Sequence, residues 1–271
     1  MEIRKSPLKY ILLLCLLTGI VIASCKKQNV DTTTVNLPVV SAYLIPGQSI
    51  SVKLYKQKDL TDTAVYGSPI TGQQLSLSDG SSTVKLTESA KGTYTYSDLS
   101  FLVAGKTYTL TFNYLTFAVS AKTVMPAKPQ NFATQYTGIT VTSSSSGPNS
   151  TLDTLDRMTW SNPDSLNHIL VFNNDDGIAF SLNSFGNNSK PNFEVNTNQK
   201  SVYYITPNIF PYYGHYHVVL LSVNQEYIDL LKSNTSSANS NNLSNTPTNI
   251  VNGYGIFTAM QSDTLKFNVL D

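Results

Sequence analysis

A chain of 271 residues with a formal net charge of +1 has no basic field with which to hold nucleic acid. Only 13% of its residues are charged, about half the usual share, and Ser, Thr and Asn fill the gap. The 41% hydrophobic content suffices for one large core or two small ones, and the balance suits a β-protein with hydroxyl-rich strand faces.

The chain opens with Arg4, Lys5 and Lys9, then runs apolar from Tyr10 to Ala23. A charged segment before a short apolar one is a secretory signal pattern, and the run is too short to span a bilayer comfortably. Ile22-Ala23-Ser24-Cys25 ends it with the side chains that a lipoprotein peptidase accepts. Residues 1–24 are therefore expected to be removed. Cys25 is expected to carry diacylglyceride on sulfur and an acyl chain on the new N-terminus, and several acyl chains anchor firmly where one binds marginally. Cys15 would leave with the signal, so the mature chain keeps no thiol for a disulfide, a metal or a nucleophile. No aspartate follows Cys25 directly, which favours the outer membrane. Residues 25–36 read as a polar tether.

From Leu37 the hydrophobic period becomes two, with strands over 39–44 and 49–55 that bury Ile50, Val52 and Leu54. Asp79-Gly80 marks a hairpin turn. Strands follow at 92–96, 107–114 (burying Tyr108, Leu110 and Phe112) and 117–124. Met125-Pro126-Ala127-Lys128-Pro129 reads as a linker. The second half predicts strands at 139–142, 155–160, 168–172, 202–206, 216–223, 256–260 and 264–270, with Trp160 in the core. One helix is expected over 225–232, and residues 233–247 form a Ser/Asn-rich stretch expected to be disordered. The expectation is an all-β protein of two β-sandwich domains, 37–127 transthyretin- or Ig-like and 128–271 fibronectin III-like.

Several stretches carry a resemblance. Val39-Val-Ser-Ala-Tyr-Leu44, Pro69-Ile-Thr-Gly72 before Leu75-Ser-Leu-Ser-Asp-Gly80, Gly105-Lys-Thr-Tyr-Thr-Leu110, Val119-Ser-Ala-Lys-Thr-Val-Met-Pro126 and Asn249-Ile-Val-Asn-Gly-Tyr-Gly-Ile-Phe257 resemble a Bacteroidetes outer-membrane lipoprotein family known as domain of unknown function 4249. Its N-terminal half is similar to the transthyretin-like modules of carboxypeptidases and of TonB-dependent receptors. Members are often encoded beside such receptors, so the resemblance implies an accessory role at an outer-membrane transporter.

His215 and His217 lie two apart on a predicted strand, so both imidazoles face one side. With a third ligand they would suit zinc or copper; without one they are ordinary amphipathic strand positions. Asn173-Asn174-Asp175-Asp176-Gly177 lacks the spaced acids of a calcium loop, and Asp176-Gly177 predicts a hairpin turn. Five Asp-Ser/Thr steps, at Thr32, Thr63, Thr154, Ser165 and Thr264, resemble periplasmic O-glycosylation acceptors, against about one match expected by chance, and the same steps suit turns and caps. Tyr203, Tyr204, Phe210, Tyr212 and Tyr213 form an aromatic group around a Pro/Gly-rich loop, part core and part contact patch.

No nucleophile elbow, zinc-protease helix, phosphate loop or dinucleotide fingerprint is present, so no enzyme is expected and no cofactor beyond the lipid on Cys25. The leading expectation is a non-enzymatic outer-membrane lipoprotein partnering a TonB-dependent receptor or its ligand. The alternatives are a structural or adhesive surface lipoprotein and a metal-binding periplasmic one.

Overall fold

Alternating burial sets the strands. The computed structural model describes residues 36–58, 63–141, 154–178, 180–182, 190–236 and 247–271. Cys25, Thr32 and the signal segment lie outside them. The first half contributes β1 (Val39–Leu44), β2 (Ile50–Tyr55), β3 (Ser76–Ser78), β4 (Thr83–Lys85), β5 (Thr87–Ala90), β6 (Thr93–Tyr96), β7 (Thr107–Tyr114) and β8 (Phe117–Val124). In β7 every second residue is buried, among them Tyr108, Leu110 and Phe112. The second half adds β9 (Gln130–Thr134), β10 (Gly138–Thr140), β11 (Asp156–Ser161), β12 (Asn167–Asn174), β13 (Phe193–Asn198), β14 (Val202–Ile205), β15 (Gly214–Val223), α1 (Gln225–Ser236), β16 (Ile250–Val251) and β17 (Tyr254–Leu270).

These strands form three sheets, with orders β13-β12-β15-β17-β1-β2-β6-β5 (β10 also pairs with β17), β14-β11-β9 and β16-β8-β7-β3-β4. The fold is almost entirely β and of sandwich type. One core gathers Leu44, Leu54, Tyr94, Tyr108 and Leu110 with Phe257. A second gathers Met158, Trp160, Phe172, Tyr216 and Phe267. Each such side chain contributes roughly 1.5–3 kcal/mol by leaving water.

The two strands expected over 256–260 and 264–270 are one continuous strand, β17, and it serves both cores. Its first part runs parallel to β1, from Val39 opposite Tyr254 to Leu44 opposite Ala259. Its second part runs antiparallel to β15, from Met260 opposite Val223 to Val269 opposite Gly214. The first core thus takes in Ile250, Phe257 and Ala259, which lie in the 128–271 segment assigned from sequence to the second module. Residues 36–271 form one compact unit. Gly255 permits the parallel pairing: its φ is +97°, and a Cβ there would meet the Val40 carbonyl oxygen at 2.0 Å.

Midway along β17, α1 covers the outer face, packing Ile228 on Ile169, Val223 and Met260. A polar network ties this point together. Asn224 Nδ2 donates to Thr123 Oγ1 (2.9 Å) and to the Val124 carbonyl (2.7 Å), and Thr123 Oγ1 donates to Glu226 Oε1 (2.7 Å). The helix extends to Ser236, beyond the expected end at 232 and into the stretch expected to be disordered; residues 237–246 lie outside the described residues. Among the described residues no helix is long and apolar enough to cross a membrane.

Candidate functional site

The histidine pair sits where β15 begins. Alternation puts Tyr216 and Val218 in the core, so His215 and His217 share the outer face. The chain leaving β12 does not turn back at Asp176-Gly177. It continues along β15, with the Asp175 amide donating to the His215 carbonyl at 2.8 Å. The hairpin fails because both aspartates are engaged elsewhere: His217 Nδ1 donates to Asp175 Oδ1 at 2.5 Å and His215 Nδ1 to Asp176 Oδ1 at 2.9 Å. The His215 hydrogen bond is the main reason the Asp176 carboxyl titrates below its usual range. Gly214 keeps this geometry open, since a Cβ there would lie 2.4 Å from Asp176 Oδ2.

Each imidazole therefore spends Nδ1 on its own carboxylate, and a neutral ring that donates from Nδ1 presents Nε2 as an acceptor. Among the described residues no three His, Cys, Asp or Glu side chains gather in a way that would hold a metal ion. Two separate His–Asp pairs occupy the face where a joint metal centre would have to form.

Beside the pairs lies an open groove of about 420 Å³ whose lining includes Asp176, Phe180, Tyr213, Val269, Leu270 and Asp271. Tyr213 shapes it: its amide donates to the Phe180 carbonyl at 2.8 Å, and its hydroxyl donates to the Val141 carbonyl at 3.0 Å and to Asp271 Oδ1 at 3.2 Å. Burial raises the Tyr213 pKa above the phenol value, so the hydroxyl stays a donor. Phe180 is 71% exposed and Leu270 is exposed as well, so the lining combines apolar side chains with the carboxylates of Asp176 and Asp271. Such a groove suits an apolar segment bearing positive charge. Phe180 and Asp271 lie outside every strand read from the sequence; antiparallel contact of residues 180–182 with 211–213 brings in Phe180, and the pairing of β15 with β17 brings in Leu270 and Asp271.

The aromatic group divides differently from expectation. Phe210 is 2% exposed and ringed by Phe172, Phe193, Tyr216 and Phe267, with centroids 5.1–5.8 Å away, so it is core rather than contact surface. Tyr203 packs half-buried on the same core. Tyr212 is half-buried, Tyr213 belongs to the groove, and only Tyr204, at 55%, is well exposed. The loop between Pro207 and Pro211 thus delivers Phe210 to the second core. Thr63, Thr154, Ser165 and Thr264 are all exposed, with Ser165 in a turn at φ 53°.

Comparison with known proteins gives three results. No curated protein sequence matches the chain. Among solved structures, it is similar to the FN1-FN3 domains of chicken CNTN1 (12% identity, 83% of this chain and 66% of that one, TM-score 0.21) and to DIP-gamma IG1+IG2 (9% identity, 88% and 99%, TM-score 0.21). The model of the family described as domain of unknown function (DUF4249) matches residues 27–266, nearly all of the chain after Cys25, and the chain belongs to that family.

Proposed function

We propose that this protein is a non-catalytic, lipid-anchored binding protein of the outer membrane, attached through Cys25, that engages a TonB-dependent receptor or that receptor's ligand through the groove beside His215. The observation that carries the reading is the groove's position. It lies at the Leu270 end of β17, whereas the chain emerges from its tether beside Tyr254, whose amide donates to the Pro38 carbonyl at 2.8 Å. Sixteen strand steps at about 3.3 Å put the two ends at most about 50 Å apart, and at opposite ends of the strand, so a surface at one need not touch a bilayer at the other. A groove lined by exposed apolar side chains and two carboxylates suits contact with an extended or basic segment of a partner.

The test is a photo-crosslinker in place of Phe180 in the full-length chain, irradiated in intact cells and followed by mild detergent extraction. The expected product is a one-to-one adduct with an outer-membrane barrel, diminished by Asp271→Lys. Adducts with an extracellular polymer alone would refute the reading in favour of an adhesive role.

A further inference from the structure

The opposite end of the first sandwich has a surface of its own. The Gln57 side chain donates to the Leu37 carbonyl at 3.3 Å, and Asn252 Nδ2 donates to the Ala118 carbonyl at 2.8 Å. These contacts place the start of the fold, the 252–254 turn and the β7–β8 hairpin together. That hairpin turns through Leu115, a leucine held at φ 53° and 73% exposed. A left-handed backbone is unfavourable for leucine, and an apolar side chain offered to water gains nothing there. Where β1 starts, Tyr55 pairs with Val39 and exposed Tyr66 stacks on Tyr55 at 4.9 Å, with neighbouring Val65 84% exposed. Tyr254 is exposed too. Lys56 and Lys58 follow β2, Lys91 lies in the adjoining β5–β6 turn, and all three are exposed; the Lys58 ammonium donates to the Ala64 carbonyl, and Asp59 and Asp62 come next in the sequence. Glu88 beside Lys91 spends its carboxylate on the Gly72 and Gly92 amides, at 2.8 and 2.9 Å; Glu226 and Asp229 lie farther in, near Gly255.

We infer that this end of the sandwich rests on the bilayer surface, with Leu115 and Val65 dipping into the headgroup–acyl boundary, Tyr66 and Tyr254 at headgroup level, and Lys56, Lys58 and Lys91 against anionic lipid. This docking rests on the proposed anchoring at Cys25. Aliphatic tips, tyrosines and lysines on one end are the side chains that partition into a membrane interface. The tether points the same way. Eleven steps from Cys25 to Asn36 span at most about 40 Å, and they arrive at this end rather than at the groove. Lys26 and Lys27 next to the anchor continue the same positive character.

The mature chain has no other thiol, so a cysteine placed at Leu115 (L115C) can carry an environment-sensitive fluorophore in the full-length lipidated protein. Leu99→Cys, at an exposed loop on the far side of the sandwich, serves as the control. In vesicles of phosphatidylethanolamine and phosphatidylglycerol, the 115 label is expected to shift to the blue and to be quenched by brominated acyl chains, while the 99 label is not. Lys56→Glu with Lys91→Glu is expected to reduce that shift. Leu115→Asn covers the case of a misfolded cysteine variant, because Asn adopts left-handed backbone readily: it should fold and lose the vesicle-dependent hydrogen-exchange protection of residues 113–118. A chain that floats with vesicles while its 115 label stays water-exposed overturns the docking alone. A chain that does not float, with Cys25 unmodified by intact mass, removes the anchor and the docking with it.

Discussion

Truncating Phe210 to alanine separates a core ring from a contact residue. The side chain is 2% exposed and has four aromatic neighbours: Tyr216 at 5.1 Å, Phe172 at 5.5 Å, and Phe193 and Phe267 at 5.8 Å. Removing a buried phenyl costs about 3–5 kcal/mol, since lost transfer energy and an incompletely collapsed cavity add, and the edge-to-face partners place this site toward the upper part of that range. At about 2–4 °C per kcal/mol for a chain of this size, the melting temperature should fall by roughly 8–16 °C. Thermal unfolding followed by circular dichroism reads the shift, with Tyr204→Ala, at 55% exposure, expected to stay within about 0.5 kcal/mol of the native chain. A Phe210→Ala protein that melts within about 3 °C of the native chain would refute this account of the core.

Because β17 supplies Phe257 to one core and Phe267 to the other, residues 36–271 should unfold in one calorimetric transition; two transitions that shift independently in Phe210→Ala would contradict this. Asn224→Ala should cost about 1 kcal/mol in denaturant titrations, because it removes the side-chain donations to Thr123 and Val124 while the backbone carbonyl that accepts from the first turn of α1 stays in place. His168 is buried against Leu166 and Ser222, and burial holds its pKa below the ordinary value. The unfolded chain therefore takes up that proton first, so stability should be full above about pH 6.5 and decline as the pH falls toward 5, a decline that His168→Gln should lessen. Asp79 acts at lower pH. Lys106, Ser82 and Ser81 hold its carboxyl well below the usual range, so its contribution is present at neutral pH and is lost in strong acid; Lys106→Met should shift the acid-unfolding midpoint upward. Leu115→Asn should raise stability by about 1 kcal/mol by relieving the left-handed backbone, measured in the same titrations.

Local spacing determines much of this molecule. Alternation alone locates β1, β2, β7 and β8 and the inward side of each, because a strand with one wet face must repeat every two residues. Asp79-Gly80 makes the turn its composition predicts, with Asp79 Oδ1 accepting from the Ser81 and Ser82 amides. The short motifs that suggest the family are sufficient to name it. Strands β9, β13 and β16 leave no readable period because they are short or at sheet edges, with few buried residues to set one. Partner choice is decided only in three dimensions. Asp176-Gly177 has the composition of a hairpin, yet Asp176 and its neighbour Asp175 each turn to an imidazole about 40 residues away. Phe210 has the local surroundings of contact surface, but four rings from distant strands close around it. The division of labour along β17 has no local signature at all: residues 256–260 are buried because a helix covers one face and the first core the other, and the groove beside Leu270 exists only because β15 lies alongside. A residue's period depends on its own neighbours in sequence, whereas what it faces depends on pairings that close long loops, and those are selected by the total burial of the fold.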